Sequence, residues 1–362
     1  MQKQGLTTLA LQKFKKSFWG VFSFWFIIFL AFISVFAYVL APDDSQFANQ
    51  MHLSIHSKQP GFTVEMLVVP NTLKNDQGFL NRVFFGRINP PSEIPITSYE
   101  SESHQIKYVE YASEGLEGLE KTMSIPSEME TILRPFVIQK TFYFGTDKYG
   151  RDLLSRILVG ARISFSIGFV AVFISLLIGI LLGSIAGYFG GKWDKLIMWI
   201  INVTWSIPTL LLVIAITLAL GKGFWQVFIA VGLTMWVEVA RIVRGQVMSV
   251  KEMQYVTAAR ALGYTDFRII LKHILPNILA PVIVISAANF AAAILIESGL
   301  SFLGIGAQPP MSSWGAMIKD HYNYIILGKP YLALIPGLCI MSLVMAFMLI
   351  GNSLRDALDV KS

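Results

Sequence analysis

The chain has 362 residues, of which 54% are hydrophobic and only 14% are charged, and its mean hydropathy is +0.59. So few charges cannot cover a water-soluble globule of this size, which excludes the ordinary soluble classes and indicates a membrane protein. The net charge of +6 comes without interleaved basic and aromatic residues, so no nucleic-acid partner is predicted. A single cysteine, Cys339, excludes a disulfide framework, and five scattered histidines predict no metal site.

Long apolar runs predict the membrane spans. A spanning helix needs about 20 apolar residues, and the run at the N-terminus is longer than a signal peptide requires, which favours a retained anchor. A further run, Gly223 to Val237, stays apolar up to Glu238. We therefore predict an all-α polytopic membrane protein with six transmembrane helices. Besides the run that ends before Glu238, five runs contain no Asp, Glu, Lys or Arg: Phe18 to Leu40, Ile163 to Gly191, Leu196 to Gly221, Ile274 to Ile296 and Pro330 to Leu354.

Lysine and arginine in the short connections predict the orientation, because these charges resist translocation. They are concentrated in the N-terminal arm, at Lys192 and Lys195, and between Arg241 and Lys272. The opposite short connections carry only Lys222, Lys319 and Lys329. Both termini are therefore expected on the cytoplasmic side.

The polar segment between the first two apolar runs is expected to be exported and to form a small mixed extracytoplasmic insertion. Its β-like runs, Thr63 to Val69 and Gln105 to Tyr111, alternate with turn signals. Its acidic patch, Glu114 to Glu120, is typical of a solvated surface. The predicted organisation is a cytoplasmic arm (1–17), a first helix (18–40), the insertion (41–155), a five-helix core (160–354) and a cytoplasmic tail (355–362).

Two local patterns inside the core predict close packing and a sharp turn. Gly179, Gly183 and Gly187 recur every four residues, which lets another helix approach that face. From Glu252 onward, a short helix is expected to stop at Gly263 in a left-handed conformation, with Thr265 capping a second helix that runs to Pro276. This pattern alone leaves open a hairpin that contacts another protein and an amphipathic loop that binds anionic headgroups.

The segment TAARALG, followed by an interval ending in HILPN, resembles the EAA loop of type I ABC importer permeases. Thr257 stands where that family has a glutamate, and His273 stands where it has an apolar residue. The segments FGTDKYGRDLLSRILVGARIS, ESGLSFLGIGAQPPMSSWG and LRDALD are similar to the C-type subunit of the dipeptide, oligopeptide and nickel permeases. The insertion is larger than is usual in such a subunit.

The resemblance implies a loop, 251–275, that docks on an ATP-hydrolysing subunit. The partners it implies are a homologous second permease, two ATP-binding subunits, an extracytoplasmic solute-binding protein and the lipid bilayer of the bacterial plasma membrane. No G-x-x-x-x-G-K-[ST] pattern is present, so we expect no ATPase site and no cofactor in this chain, with ATP used by the partner subunits. The expected docking residues are Tyr255, Thr257, Ala258, Ala259, Arg260, Ala261, Leu262, Gly263, His273, Leu275 and Pro276.

Ionisable residues at membrane depth are candidates for the pathway or a gate, because they are expensive there. Glu238 and Arg241 are three residues apart and are expected to pair, with a structural role at the inner interface favoured. Glu297 is expected near the outer end of the fifth span. The stretch from Gly304 to Trp314 is too broken for a straight span and is expected to be re-entrant or superficial.

The function expected from the resemblance is uptake of di- or oligopeptides or a related small solute. A nickel-chelate permease remains an alternative, and a sensor or anchor protein is an alternative from another class. A membrane-embedded enzyme is disfavoured because the chain has no H-E-x-x-H or G-x-S-x-G motif and no pair of intramembrane aspartates.

Overall fold

A computed structural model describes residues 6–69, 71, 77–102, 105–112, 117–124, 137–221 and 223–358. The chain forms two compact units. The helical unit comprises Met1–Ala31, Ser164–Gln308 and Leu338–Ser362, and the sheet unit comprises Phe32–Ile163 and Pro309–Gly337.

In chain order, the helices are α1 (Leu6–Lys16), α2 (Phe18–Val35), α3 (Ala37–Leu40), α4 (Phe79–Phe85), α5 (Leu153–Phe189), α6 (Gly191–Ser206), α7 (Thr209–Leu220), α8 (Phe224–Val250), α9 (Gln254–Ala261), α10 (Asp266–Ile269), α11 (Leu275–Phe302), α12 (Trp314–His321) and α13 (Tyr331–Leu358). The strands are β1 (Phe62–Val69), β2 (Ser92–Glu102), β3 (Gln105–Glu110), β4 (Glu120–Ser124) and β5 (Val137–Phe142).

The described residues contain five helical segments long and apolar enough to cross a membrane, or six if the bent pair α6 and α7 is one span. The five are Phe18–Val35, Leu153–Phe189, Phe224–Val250, Asp266–Phe302 and Tyr331–Leu358.

The apolar run predicted as a continuous third span is broken in the structure. Helices α6 and α7 meet at an angle of 94°. Ile207 is extended, with φ −92° and ψ 128°, and Pro208 follows it. A proline has no backbone N–H and disfavours the helical conformation of the residue before it. The break therefore follows from the Ile207-Pro208 pair within an otherwise apolar run.

The glycine stripe of α5 packs directly on α8, as predicted. A Cβ atom at Gly179 would lie 2.5 Å from the Val239 Cβ, and one at Gly183 would lie 2.5 Å from the Ala240 carbonyl oxygen. At Gly187 the same atom would lie 2.7 Å from a carbonyl oxygen of α8. The absence of side chains at these positions lets the two helices approach to backbone contact.

The sheet unit contains a five-stranded antiparallel sheet in the order β4-β3-β2-β1-β5. Met66 and Leu67 are adjacent in β1 and both are fully buried, in different apolar clusters. Successive side chains of a strand point to opposite faces, so both faces of this sheet are covered. The β-like runs expected here are confirmed, although β3 ends one residue earlier than predicted. The acidic patch lies partly outside the described residues.

A buried ionic cluster joins the last strand of the sheet unit to the start of α5. Asp147 is fully buried and accepts hydrogen bonds from Arg151 Nε at 2.7 Å and from the backbone N–H of Tyr149 at 2.8 Å. Arg156 Nε lies 3.5 Å from the same carboxylate. One buried carboxylate therefore faces two buried guanidinium groups.

Candidate functional site

The loop between α8 and α11 contains two helical segments that meet at a glycine. Helix α9 ends in a Schellman motif: Gly263, with φ +78°, donates its N–H to the Arg260 carbonyl at 3.0 Å, and Tyr264 donates to the Ala259 carbonyl at 3.2 Å. The predicted left-handed stop is confirmed. Its physical reason is that a residue with a Cβ atom is strained at this backbone conformation.

The second segment is the beginning of a long helix. Thr265 occupies the position before α10, but its side chain accepts no capping hydrogen bond, so the predicted cap holds only for the position. A π-helical turn, Ile270–Ile274, then leads into α11. The ring of Pro276 would clash with the carbonyl four residues earlier in a regular α-helix, and the wider turn accommodates it. Asp266–Phe302 is therefore one helical segment that joins the loop to a membrane span.

One face of the loop is packed against the spans. Val256, Ala259 and Ile269 are buried in a cluster that also contains Val243 of α8 and Tyr188 of α5. Ala259 was predicted as a docking residue together with Ala258, but it is buried against the spans. Successive residues of a helix are separated by about 100°, so Ala258 points outward while Ala259 points to the spans.

The opposite face of the loop is exposed and presents apolar and small residues beside Arg260. Leu262 has 73% of its surface exposed, and a Cβ atom at Gly263 would meet no atom within 4 Å. Large apolar side chains surrounding small ones form a surface that the backbone of another protein can approach closely. The other predicted residues exposed here are Tyr255, Thr257, Ala258, Arg260 and Ala261.

Hydrogen bonds and ring contacts hold the loop in place. The Tyr188 hydroxyl donates to Asp266 Oδ1 at 2.6 Å, and the guanidinium of Arg260 lies 5.7 Å from the centre of the Tyr188 ring. Nothing in the sequence connects Tyr188 with this loop, because 78 residues separate it from Asp266.

A second set of contacts lies within the loop itself. The His273 ring stacks on Tyr264 with centroids 5.7 Å apart, and Arg268 lies over the same Tyr264 ring at 4.2 Å. His273, which was predicted as a docking residue, is half-buried within the loop. Leu275 is half-buried and Pro276 is exposed at the start of α11.

The expected ion pair between Glu238 and Arg241 is not formed. Arg241 instead lies 3.6 Å from the centre of the Trp205 ring and donates to Asn202 Oδ1 at 3.2 Å. Both partners belong to α6. The spacing of charged residues along α8 gives no information on side chains of another helix, so these contacts could not be predicted from it. Glu238 is exposed and lines a cavity of about 190 Å³ with Thr204, Trp205, Thr234, Ala292 and Ile296 among its other walls.

Glu297 is fully buried and lies near the C-terminal end of α11. Ser301 Oγ donates to its Oε1 at 2.6 Å and accepts from the N–H of Ala307 at 3.1 Å. The cavity that Glu238 lines is bordered by Ile296 and not by Glu297. The two carboxylates are therefore not brought together. The following stretch is irregular, as predicted, and helix resumes at Trp314.

The fold and the loop define a polytopic helical membrane protein in which an exposed loop is fixed to several spans. Residues 179–361 match the family model described as the binding-protein-dependent transport system inner membrane component. Residues 5–60 match a second model, the N-terminal TM domain of oligopeptide transport permease C. The first match covers half of the chain, and the chain belongs to this family of ABC transport permeases.

Curated relatives are similar over a large part of the chain. A glutathione transport system permease protein, GsiD, from Escherichia coli O6:K15:H31 is 44% identical over 219 residues, which are 60% of this chain and 72% of the relative. A dipeptide transport system permease protein, DppC, from Alkalihalophilus pseudofirmus is 45% identical over the same shares. A solved structure of the MetNI methionine ABC transporter aligns at 18% identity with a TM-score of 0.46, covering 56% of this chain and 95% of that chain. The chain is thus a transport subunit of the permease class.

Proposed function

We propose that this permease forms half of an importer's translocation pathway in the bacterial plasma membrane. It pairs with a homologous second permease, receives solute from an extracytoplasmic binding protein, and is driven by two ATP-binding subunits. In this proposal α6 and α7 together make one of six spans, both termini are cytoplasmic, and the insertion 41–155 is outside. The distribution of lysine and arginine among the short connections supports this orientation.

The exposed face of α9 carries the proposal. It combines the apolar surfaces of Tyr255 and Leu262 with the small residue Ala258 and the unobstructed Gly263. Its other side is buried against α5 and α8. Because the loop is packed against the spans, a movement of a partner bound to the exposed face is transmitted directly to them.

The continuous helix from Asp266 to Phe302 can transmit a movement of the loop along its axis. Its 37 residues correspond to about 55 Å at 1.5 Å per residue, enough to run from the loop across the bilayer. When the partner ATPases close on ATP, the docked loops move and the spans open toward the other side. This chain holds no cofactor in the proposal, and the ATP is bound and hydrolysed by the partners.

A small peptide is the proposed substrate. The names of the two curated relatives refer to glutathione and dipeptide transport. The cavity lined by Glu238 supports the same class, because it is mainly apolar and contains one carboxylate that can face a peptide ammonium group.

The test compares Leu262→Asp with Ile326→Asp, an equivalent change at a side chain that is 90% exposed in the sheet unit. Each chain is expressed with its second permease and ATPases, and co-purification of the ATPases and uptake of labelled dipeptide and glutathione are measured. We expect Leu262→Asp to lose both, and Ile326→Asp to retain both.

Gly263→Asp and Gly263→Asn separate contact from backbone strain. Asparagine and aspartate tolerate the left-handed conformation better than most other residues with a side chain, so neither variant is expected to fail through strain alone. If the partner approaches the bare backbone, both variants lose the ATPases. Full co-purification and uptake with Leu262→Asp and Gly263→Asp would contradict the docking proposal. If the unmodified permease co-purifies with its ATPases but takes up neither labelled peptide, only the proposed substrate is contradicted.

A further inference from the structure

Helix α4 in the sheet unit exposes an apolar surface that a water-facing helix would not keep. Of its seven residues, Val83 is buried, and four large apolar side chains are exposed. Phe79 is 70% exposed, Leu80 68%, Phe84 47% and Phe85 60%. An aromatic and aliphatic patch of this density marks a surface that contacts lipid or another protein.

Contacts with Arg162 of α5 and with Tyr38 of α3 hold α4 in place. Arg162 Nη1 donates to the Val83 carbonyl at 3.0 Å, and its guanidinium lies 5.6 Å from the Phe84 ring centre. At the other side, Gly86 ends α4 so close to Tyr38 that a Cβ atom there would lie 2.9 Å from the ring. The position of α4 is thus fixed relative to both neighbouring segments.

These two neighbours mark one boundary of the membrane. Arg162 is the last charged residue before the charge-free run 163–191, and Leu40 lies three residues before Asp43, the first charged residue after the N-terminal apolar run. A hydrocarbon span of about 20 residues centred in the longer run leaves Arg162 about 8 Å outside it at 1.5 Å per residue. That distance corresponds to the headgroup layer, where amphipathic helices bury their apolar side chains by about 5–10 Å.

We propose that α4 is an interfacial helix that inserts Phe79, Leu80, Phe84 and Phe85 into the lipid at the membrane boundary next to Arg162. Aromatic side chains are favoured at this depth. The charge of Arg82 is compatible with the position, because its Nη2 lies 2.5 Å from the Asp44 carboxylate. The inference requires only that α2 and α5 cross the membrane, and it is independent of the docking loop and of the substrate.

This placement gives the insertion a second membrane attachment. The chain leaves the bilayer at Leu40 and re-enters after Arg162, and α4 touches the leaflet between these points.

The test measures the depth of a spin label in the full chain. A Cys339→Ser background removes the only native thiol, and a single label is attached at Leu80→Cys or, as a matched control, at Leu119→Cys, since Leu119 is 67% exposed in the same unit. The chain is placed in nanodiscs of phosphatidylethanolamine and phosphatidylglycerol, without other proteins. Collision of the label with oxygen, which partitions into lipid, is compared with collision with a water-soluble nickel chelate.

We expect the label at position 80 to collide severalfold more with oxygen than with the nickel chelate, and the label at position 119 to show the reverse. Equal access of both labels to the nickel chelate would overturn the proposal. Protection of position 80 that appears only after addition of the second permease or the binding protein would also overturn it, because the surface would then be a protein interface.

Discussion

The hydroxyl of Tyr188 donates a 2.6 Å hydrogen bond to the carboxylate of Asp266, and this bond ties the end of α5 to the start of the helix that leads into α11. Both residues lie at the loop that carries the proposed docking face. A force applied to the loop therefore reaches two membrane segments at once.

Tyr188→Phe is expected to loosen this connection and to reduce transport, while the chain remains in the membrane. Removing a hydrogen bond to a charged group costs about 1.5 kcal/mol at a partly exposed site, the low end of the usual range. Hydrogen exchange in residues 254–274 and peptide uptake are the measurements. Tyr264→Phe is the control, because the Tyr264 ring stacks on His273 and its hydroxyl makes no hydrogen bond within the described part of the chain. Equal exchange in the two variants would argue against the tether.

Gly183→Ala is expected to destabilise the contact between α5 and α8. The added Cβ would lie 2.5 Å from the Ala240 carbonyl oxygen, and overpacking of this kind costs about 1–3 kcal/mol. The midpoint of thermal unfolding in detergent should fall. Gly245→Ala in α8 is the matched control, since a Cβ there meets no atom within 4 Å and alanine favours a helix. A midpoint as high as that of the control would refute the backbone contact.

His52 is expected to make the sheet unit sensitive to acid. Burial, assisted by the nearby positive charge of Lys140, lowers the pKa of this imidazole from 6.5 to about 4. Between these values the unfolded chain binds more protons than the folded one, so stability falls as the pH decreases from about 6.5 to about 4. The largest loss from this group is about 3 kcal/mol.

The check is the unfolding midpoint of the full chain at several pH values. His52→Gln should flatten the decrease between pH 6.5 and 4, whereas His56→Gln, at an exposed position, should leave it unchanged. The Glu93 carboxylate, 3.8 Å from His52, and Lys140 remain in both variants, so the difference reports on the imidazole. An unchanged decrease in His52→Gln would assign the acid sensitivity to other groups.

Asp147→Asn is expected to prevent stable folding of the sheet unit. The variant would leave the guanidinium groups of Arg151 and Arg156 buried without their carboxylate, and breaking a buried pair in this way costs about 3–5 kcal/mol. Glu110→Gln is a suitable control, because the ion pair with Lys121 is on the surface and should matter little. Protease resistance of the full chain in detergent would distinguish the two variants, and similar resistance would contradict a structural role for Asp147.

Local backbone chemistry made part of this structure predictable. Gly263 stops α9 as expected, and the glycine spacing of α5 identified a face that meets another helix, because both effects depend on the absence of a side chain. The break at Ile207-Pro208 was equally readable from the proline, but the apolar composition of the run obscured it.

Contacts between distant segments could not be read from the sequence. Arg241 selects Trp205 and Asn202 rather than Glu238, because α6 packs beside α8 in the fold. The Tyr188 hydrogen bond to Asp266 is equally non-local. The inward orientation of Ala259 depends on which side of α9 the spans occupy, a choice that an alanine-rich helix leaves undetermined.

The contact between the α5 glycines and the α8 valines restricts how this permease can change shape. A displacement along the helix axes would drive Val239, Val243 and Val247 out of the gaps above the glycines and into the larger side chains between them. We therefore expect the two helices to move as one rigid body. We therefore expect a rearrangement that opens a passage to occur at other helix contacts in the bundle. The bend between α6 and α7, which lines the Glu238 cavity, is one such position.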